Sequence, residues 1–247
     1  MVETAAGTAA TVGHGIGDAW SRVTGTQPDP PAWLVLATGA VALAAVLAPP
    51  LWRVSRAVVT IAHEGGHGLT ALLTGRRLSG IRLHSDTSGL TVSSGRPTGA
   101  GMVLTAAAGY LAPPLLGLGG AALLASGHVT ALLWTATALL AGLLVMVRNA
   151  FGVLTVVATG AAFLLVSWYA GDRVQAAFAY LGVWFLLLSG VRPVVELQRK
   201  RRHGGAPDSD ADQLGRLTGV APVLWVGLFL VTALAGLLAG ASWLTAR

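Results

Sequence analysis

The chain has 247 residues, of which 54% are hydrophobic and only 11% charged, a balance that excludes an ordinary soluble domain. Its net charge of +6 would suit nucleic acid. The basic residues fall between apolar runs and not on one soluble face, so no nucleic-acid partner is expected. Absence of cysteine excludes disulfides and any thiolate metal site, so a metal could be held only by His and carboxylate.

Taken in chain order, residues 1–31 form a polar arm rich in Gly, Ala and Thr. It has no basic start and no signal-peptide cleavage site, and it is expected to be mostly disordered. Residues 32–247 then read as one integral membrane domain. Apolar runs near the roughly 20 residues needed to cross a bilayer fall at Ala32–Ala48, Ala57–Leu73, Gly101–Ala125, Val129–Val147, Phe151–Tyr169, Val174–Val191 and Val220–Leu244. The expectation is an all-α polytopic membrane protein with seven spans. The first run is short and stops at Pro49-Pro50, and only Arg148-Asn149 separates the fourth from the fifth.

The second run carries His63-Glu64-Gly65-Gly66-His67, an H-E-x-x-H pattern expected by chance about 0.002 times at this composition. At helical spacing the two histidines stand one turn apart on one face and can converge on one zinc, with Glu64 placed to act on the metal's water as general base. Ionisable groups inside a span cost a few kcal/mol, so they mark a functional site with a partner. The glycine pair Gly65-Gly66 calls for close approach of another helix or of substrate backbone.

Beyond this helix, Ile81–His84 and Leu90–Ser93 alternate apolar with polar around Ser85–Gly89, which is a hairpin signature. Such a hairpin can clamp an extended substrate along its strand edge or plug the cavity. His84 belongs to the hairpin and is not expected to be a ligand. Tyr110 and Asn149 carry donors for an oxyanion or for substrate.

A catalytic zinc usually takes three protein ligands, and the acidic residues available for the third are Asp86, Asp172, Glu196, Asp208, Asp210 and Asp212. Three of these crowd into Pro207–Leu214, where they also suit a helix N-cap. Basic residues set an expected orientation. With the N-terminus in the cytoplasm, Arg22, Arg76, Arg77, Arg82, Arg96, Arg148, Arg192, Arg199, Lys200, Arg201, Arg202 and Arg216 lie inside, against Arg53, Arg56, Arg173 and Arg247 outside. The run Arg199–Arg202 could also touch anionic lipid heads.

His63–His67 in a membrane helix, followed by Gly75-Arg76-Arg77 and the alternating segment, resembles the site-2 protease family of intramembrane zinc metallopeptidases. The likeness is closest to the family's bacterial and plant M-fifty-B-like branch. Ala108-Gly109-Tyr110-Leu111, Val147-Arg148-Asn149 and Ser209-Asp210-Ala211 look like landmarks of that branch. Better-studied members carry N-x-x-P-x-x-x-L-D-G, whose Asp is the third ligand. Here Gly152 stands in place of the Pro and Val157 in place of the Asp.

The resemblance implies that the third-ligand role passes to Asp210, beside His63 and His67. It implies a Zn2+-dependent endopeptidase, with Glu64 catalytic, acting on membrane-embedded protein substrates in a bilayer, in a bacterial plasma membrane. The alternative is a non-catalytic membrane scaffold or adaptor that keeps the fold. A transporter is disfavoured because no paired half-repeats stand out.

Overall fold

The computed structural model describes residues 21, 23–204, 206 and 208–246. Most of the expected polar arm therefore lies outside the described residues. Among those described, the long elements are helical: α1 (Ala32–Leu47), α2 (Pro49–Leu73), α3 (Ala100–Ala125), α4 (Val129–Met146), α5 (Ala150–Tyr169), α6 (Asp172–Ser189), α7 (Val191–Arg202), α8 (Asp210–Thr218) and α9 (Pro222–Thr245). One antiparallel hairpin, β1 (Arg77–Leu83) and β2 (Gly89–Ser94), follows α2 as expected.

The expected count of seven crossings is not reproduced. Among the described residues, five helices are long and apolar enough to cross a membrane, counting Asp172–Arg202 as one, and a sixth crossing arises if α1 and α2 are joined as a single broken span. The break has a local cause. Ala48 is extended and Pro49 and Pro50 open α2, where their missing N–H groups cost nothing, so the chain bends by 101° and starts a new helix. At 16 residues, α1 is only about 24 Å long against a hydrocarbon core of about 30 Å.

This bend changes the expected topology. Gln27 donates from Nε2 to Thr130 and to Gln175, each at 2.9 Å, and its backbone N–H reaches the Gly127 carbonyl at 2.9 Å. Gln27 therefore lies at the end of the bundle that carries the α3–α4 and α5–α6 turns. The hairpin and the α4–α5 turn lie at the other end, where Arg148 N–H donates to the Ile81 carbonyl at 2.8 Å. The expectation had grouped the N-terminal side with the hairpin. It had also put Arg56 and Arg192 on opposite faces, yet both pair with Glu196.

α3 is the organising helix. It packs against α2, α6, α8 and α9, and small residues let it approach closely. A Cβ at Gly120 would press on Val183 and one at Gly117 on Leu187, while Gly66 of α2 meets Ala108 and Ala112. The sequence expectation for Gly66 is thus realised as helix–helix contact. By contrast, α4 and α5 have no charged residue and leave Leu139, Val145, Leu154, Leu165 and Trp168 exposed. Such a surface is stable only against lipid.

Candidate metal centre

The apolar faces of α2 and α3 bury a small polar group between them. Glu64 and His67 of α2 are buried, and Gly109 of α3 stands directly opposite. A Cβ at position 109 would collide with the Nε2 atoms of both His63 and His67. Only glycine leaves the space in which the two imidazoles converge.

Asp210 closes the third side. It is the first residue of α8, whose N-cap is Ser209, with the Ser209 hydroxyl accepting from the Asp212 N–H. The Ser209 hydroxyl also donates to the Asp212 carboxylate at 2.6 Å, and Arg201 of α7 pairs with that carboxylate. Buried Ala211 and Leu214 anchor the helix in an apolar cluster with Val194, Val226 and Phe229. This packing carries Asp210 to 3.2 Å from His63 Nε2 and 3.4 Å from His67 Nε2, with the two Nε2 atoms 3.1 Å apart.

These separations suit a metal. Ligand atoms each about 2.1 Å from a tetrahedral zinc stand about 3.4 Å from one another. His67 is further oriented by its other nitrogen, since Nδ1 lies 2.7 Å from the Thr105 carbonyl. A carbonyl can only accept, so Nδ1 carries the proton and Nε2 presents its lone pair to the cluster. Burial pushes the Asp210 carboxyl up, but its contacts with the His63 and His67 imidazoles outweigh it and hold the group well below the usual carboxylate range. Two imidazole nitrogens and one carboxylate oxygen with a cradle emptied by Gly109 are a donor set that fits zinc.

Glu64 sits beside this group but does not join it. Its Oε2 accepts from the Thr91 hydroxyl at 2.6 Å, and Thr91 also reaches the Glu64 carbonyl at 3.2 Å. Gly89 of β2 lies so close that a Cβ there would strike the Glu64 side chain. Thr60 adds a bond from its hydroxyl to the Thr87 carbonyl at 2.8 Å. The hairpin is therefore laid along α2, with Gly89, Thr91 and Ser93 turned inward and Leu90, Val92 and Ser94 exposed.

Of the other expected contacts, Tyr110 is at the centre: its ring meets His63 edge-on at 4.8 Å and stacks on Phe229 at 5.0 Å. Asn149 has a different position. Its amide donates to the Leu83 carbonyl at 2.7 Å and accepts from the Leu83 N–H at 3.1 Å. Together with the Ile81–Val147 bridge, this covers the outer edge of β1. The opposite edge, on β2, has no backbone partner among the described residues. His84 is exposed and bonds Ser88, as expected of a hairpin residue.

Sequence reasoning did not single out Thr91, Thr105 or Arg56. Arg56 lines the cavity of about 180 Å³ that includes His63, Glu64, Gly89 and Tyr110. Its signal was available, since a cation seven residues before His63 lies on nearly the same helical face.

A bundle of apolar helices that holds a His-His-Asp cluster beside a second, buried carboxylate is an integral membrane protein with a candidate metal centre. The Peptidase M50B-like family model matches residues 36–240, and the chain belongs to that family. The family is one of site-2 protease-like intramembrane metallopeptidases. No curated protein and no solved structure matches the chain.

Proposed function

We propose that the chain is a zinc-dependent intramembrane endopeptidase in which His63, His67 and Asp210 hold the metal and Glu64 is general base and acid. The observation that carries this reading is the convergence of three ligand-type atoms beside a buried carboxylate that belongs to none of them. A bound zinc would polarise the scissile carbonyl and acidify water at the site. Glu64 holds one carboxylate oxygen against Thr91 and keeps the other, Oε1, to take a proton from the attacking water and return it to the leaving amine. Tyr110, packed on His63, is the candidate donor to the developing oxyanion.

The free edge of β2 supports a role in substrate binding. A helical peptide shields its carbonyls, so a membrane-embedded substrate must be held extended, and an unpaired strand edge offers it backbone hydrogen bonds. Asn149 serves this arrangement from behind by fastening β1.

Glu64→Gln in purified protein tests the mechanism. Zinc should stay at about one per chain, while cleavage of a library of single-span peptides in proteoliposomes should fall by about 10²–10⁴. Undiminished cleavage overturns the mechanism, and absence of zinc from the wild-type protein favours the scaffold alternative.

The orientation we infer places the hairpin end in the cytoplasm, because Arg76, Arg77, Arg82, Arg96 and Arg148 cluster there. Gln27 then faces the opposite side. Single cysteines introduced at Gln27 and His203 of this cysteine-free chain should be labelled by an impermeant reagent from outside and from inside, respectively. The reverse pattern would invert the assignment.

A further inference from the structure

Arg56 is a cation within the broken first span that the proposed catalysis does not use. A charge in a membrane helix is costly and points to function unless a partner neutralises it. Glu196 does so only in part. Its Oε2 lies 3.3 Å from Arg56 Nη1, while its Oε1 accepts from Arg192 Nε at 3.0 Å, so one carboxylate serves two guanidinium groups.

Arg192 is the more fully committed of the two. It sits over the Trp52 ring at 4.6 Å and donates to the Val46 carbonyl. The excess positive charge of the trio is therefore left to Arg56, on the cavity wall. Near it, Glu64 and Asp210 are the anions at the centre, and a divalent ion would balance both. Arg56 would remain as an unmatched cation facing the place where substrate must lie.

We propose that Arg56 forms a carboxylate-recognition subsite that selects substrates carrying an acidic group close to the scissile bond. This deepens the peptidase reading and rests on it. The planar guanidinium matches a carboxylate through paired N–H···O bonds. Seven helical residues separate Arg56 from His63, a rise of about 10 Å, and an extended peptide advances about 3.3 Å per residue. The acidic group thus falls about three residues from the cleaved bond.

The test uses zinc-loaded full-length protein in detergent and peptides capped with a zinc-binding hydroxamate. One series carries Asp at the second, third or fourth residue from the cap, a second carries Asn there, and a third ends at those residues with a free carboxylate. The best Asp peptide should bind wild type about ten-fold tighter than its Asn counterpart. That ratio should collapse to about one in Arg56→Gln and persist in part in Arg56→Lys.

Stronger binding of the chain-end series would assign the carboxylate to a peptide terminus instead of a side chain. Equal binding of Asp and Asn peptides to wild type overturns the subsite, as does an Arg56→Gln variant that weakens both equally. Should Arg56→Gln fail to fold, the wild-type ratio and Arg56→Lys decide. If no hydroxamate binds at all, the peptidase reading falls first and takes the subsite with it.

Discussion

Helix α2 and the α4–α5 pair are both expected to meet lipid, yet they are built on opposite terms. α4 and α5 carry no charge across Val129–Met146 and Ala150–Tyr169 and bury few of their side chains. α2 has Arg53, Arg56, His63, Glu64 and His67 in 25 residues and buries Glu64 and His67. The difference teaches where a membrane protein can place polarity. Charges are held only where several elements converge to satisfy them, here α3, α8 and the hairpin around α2. A lipid-facing helix has no such partners.

Asp210→Ala breaks the convergence most directly. Two imidazoles alone do not complete a catalytic zinc site, so bound zinc should fall from about one per chain to near zero, with loss of cleavage. Metal analysis of the purified variant checks this. Adding Val157→Asp to that variant sharpens the comparison, because better-studied relatives carry their Asp at this place. Val157 is 44% exposed on α5, so the new carboxylate should face lipid, restore no zinc, and cost about 2.5–3.5 kcal/mol on insertion scales. Recovery of zinc would show that α5 can rotate its outer face to the centre.

Gly109→Ala asks whether the cradle is as tight as the geometry requires. The added methyl meets both Nε2 atoms, and displaced imidazoles should weaken zinc affinity by about 10–100-fold. Competition with a chelator measures it, and unchanged affinity would mean that α2 and α3 can separate.

The smallest effects are expected at the edge of α8. Ser209→Ala removes the N-cap and should cost about 1 kcal/mol of stability with zinc retained. Asp208→Ala should do less, since that side chain is 94% exposed and only 4.0 Å from Arg216. Thermal melts of the two variants rank them, and zinc loss in Asp208→Ala would move the third ligand.

What the sequence determined by itself followed from short-range chemistry. Helical spacing alone set His63 and His67 on one face, unbroken apolar runs announced the membrane, and alternation across Ile81–Ser93 foretold the hairpin. Other features depended on residues far apart in the chain. The bend at Ala48 and the pairing of Gln27 with Thr130 and Gln175 reassigned the ends of the bundle, because hydropathy counts spans without recording the angle between them.

Asp208, Asp210 and Asp212 were indistinguishable as local pattern. Their family resemblance singled out Asp210, and packing of Ala211 and Leu214 is what turns its carboxylate toward His63 and His67. Thr91 on Glu64, Thr105 on His67 and Asn149 on Leu83 were equally hidden. Each joins residues 27 to 66 positions apart, and a hydrogen bond at that separation is decided by how helices dock, not by the order of residues along them.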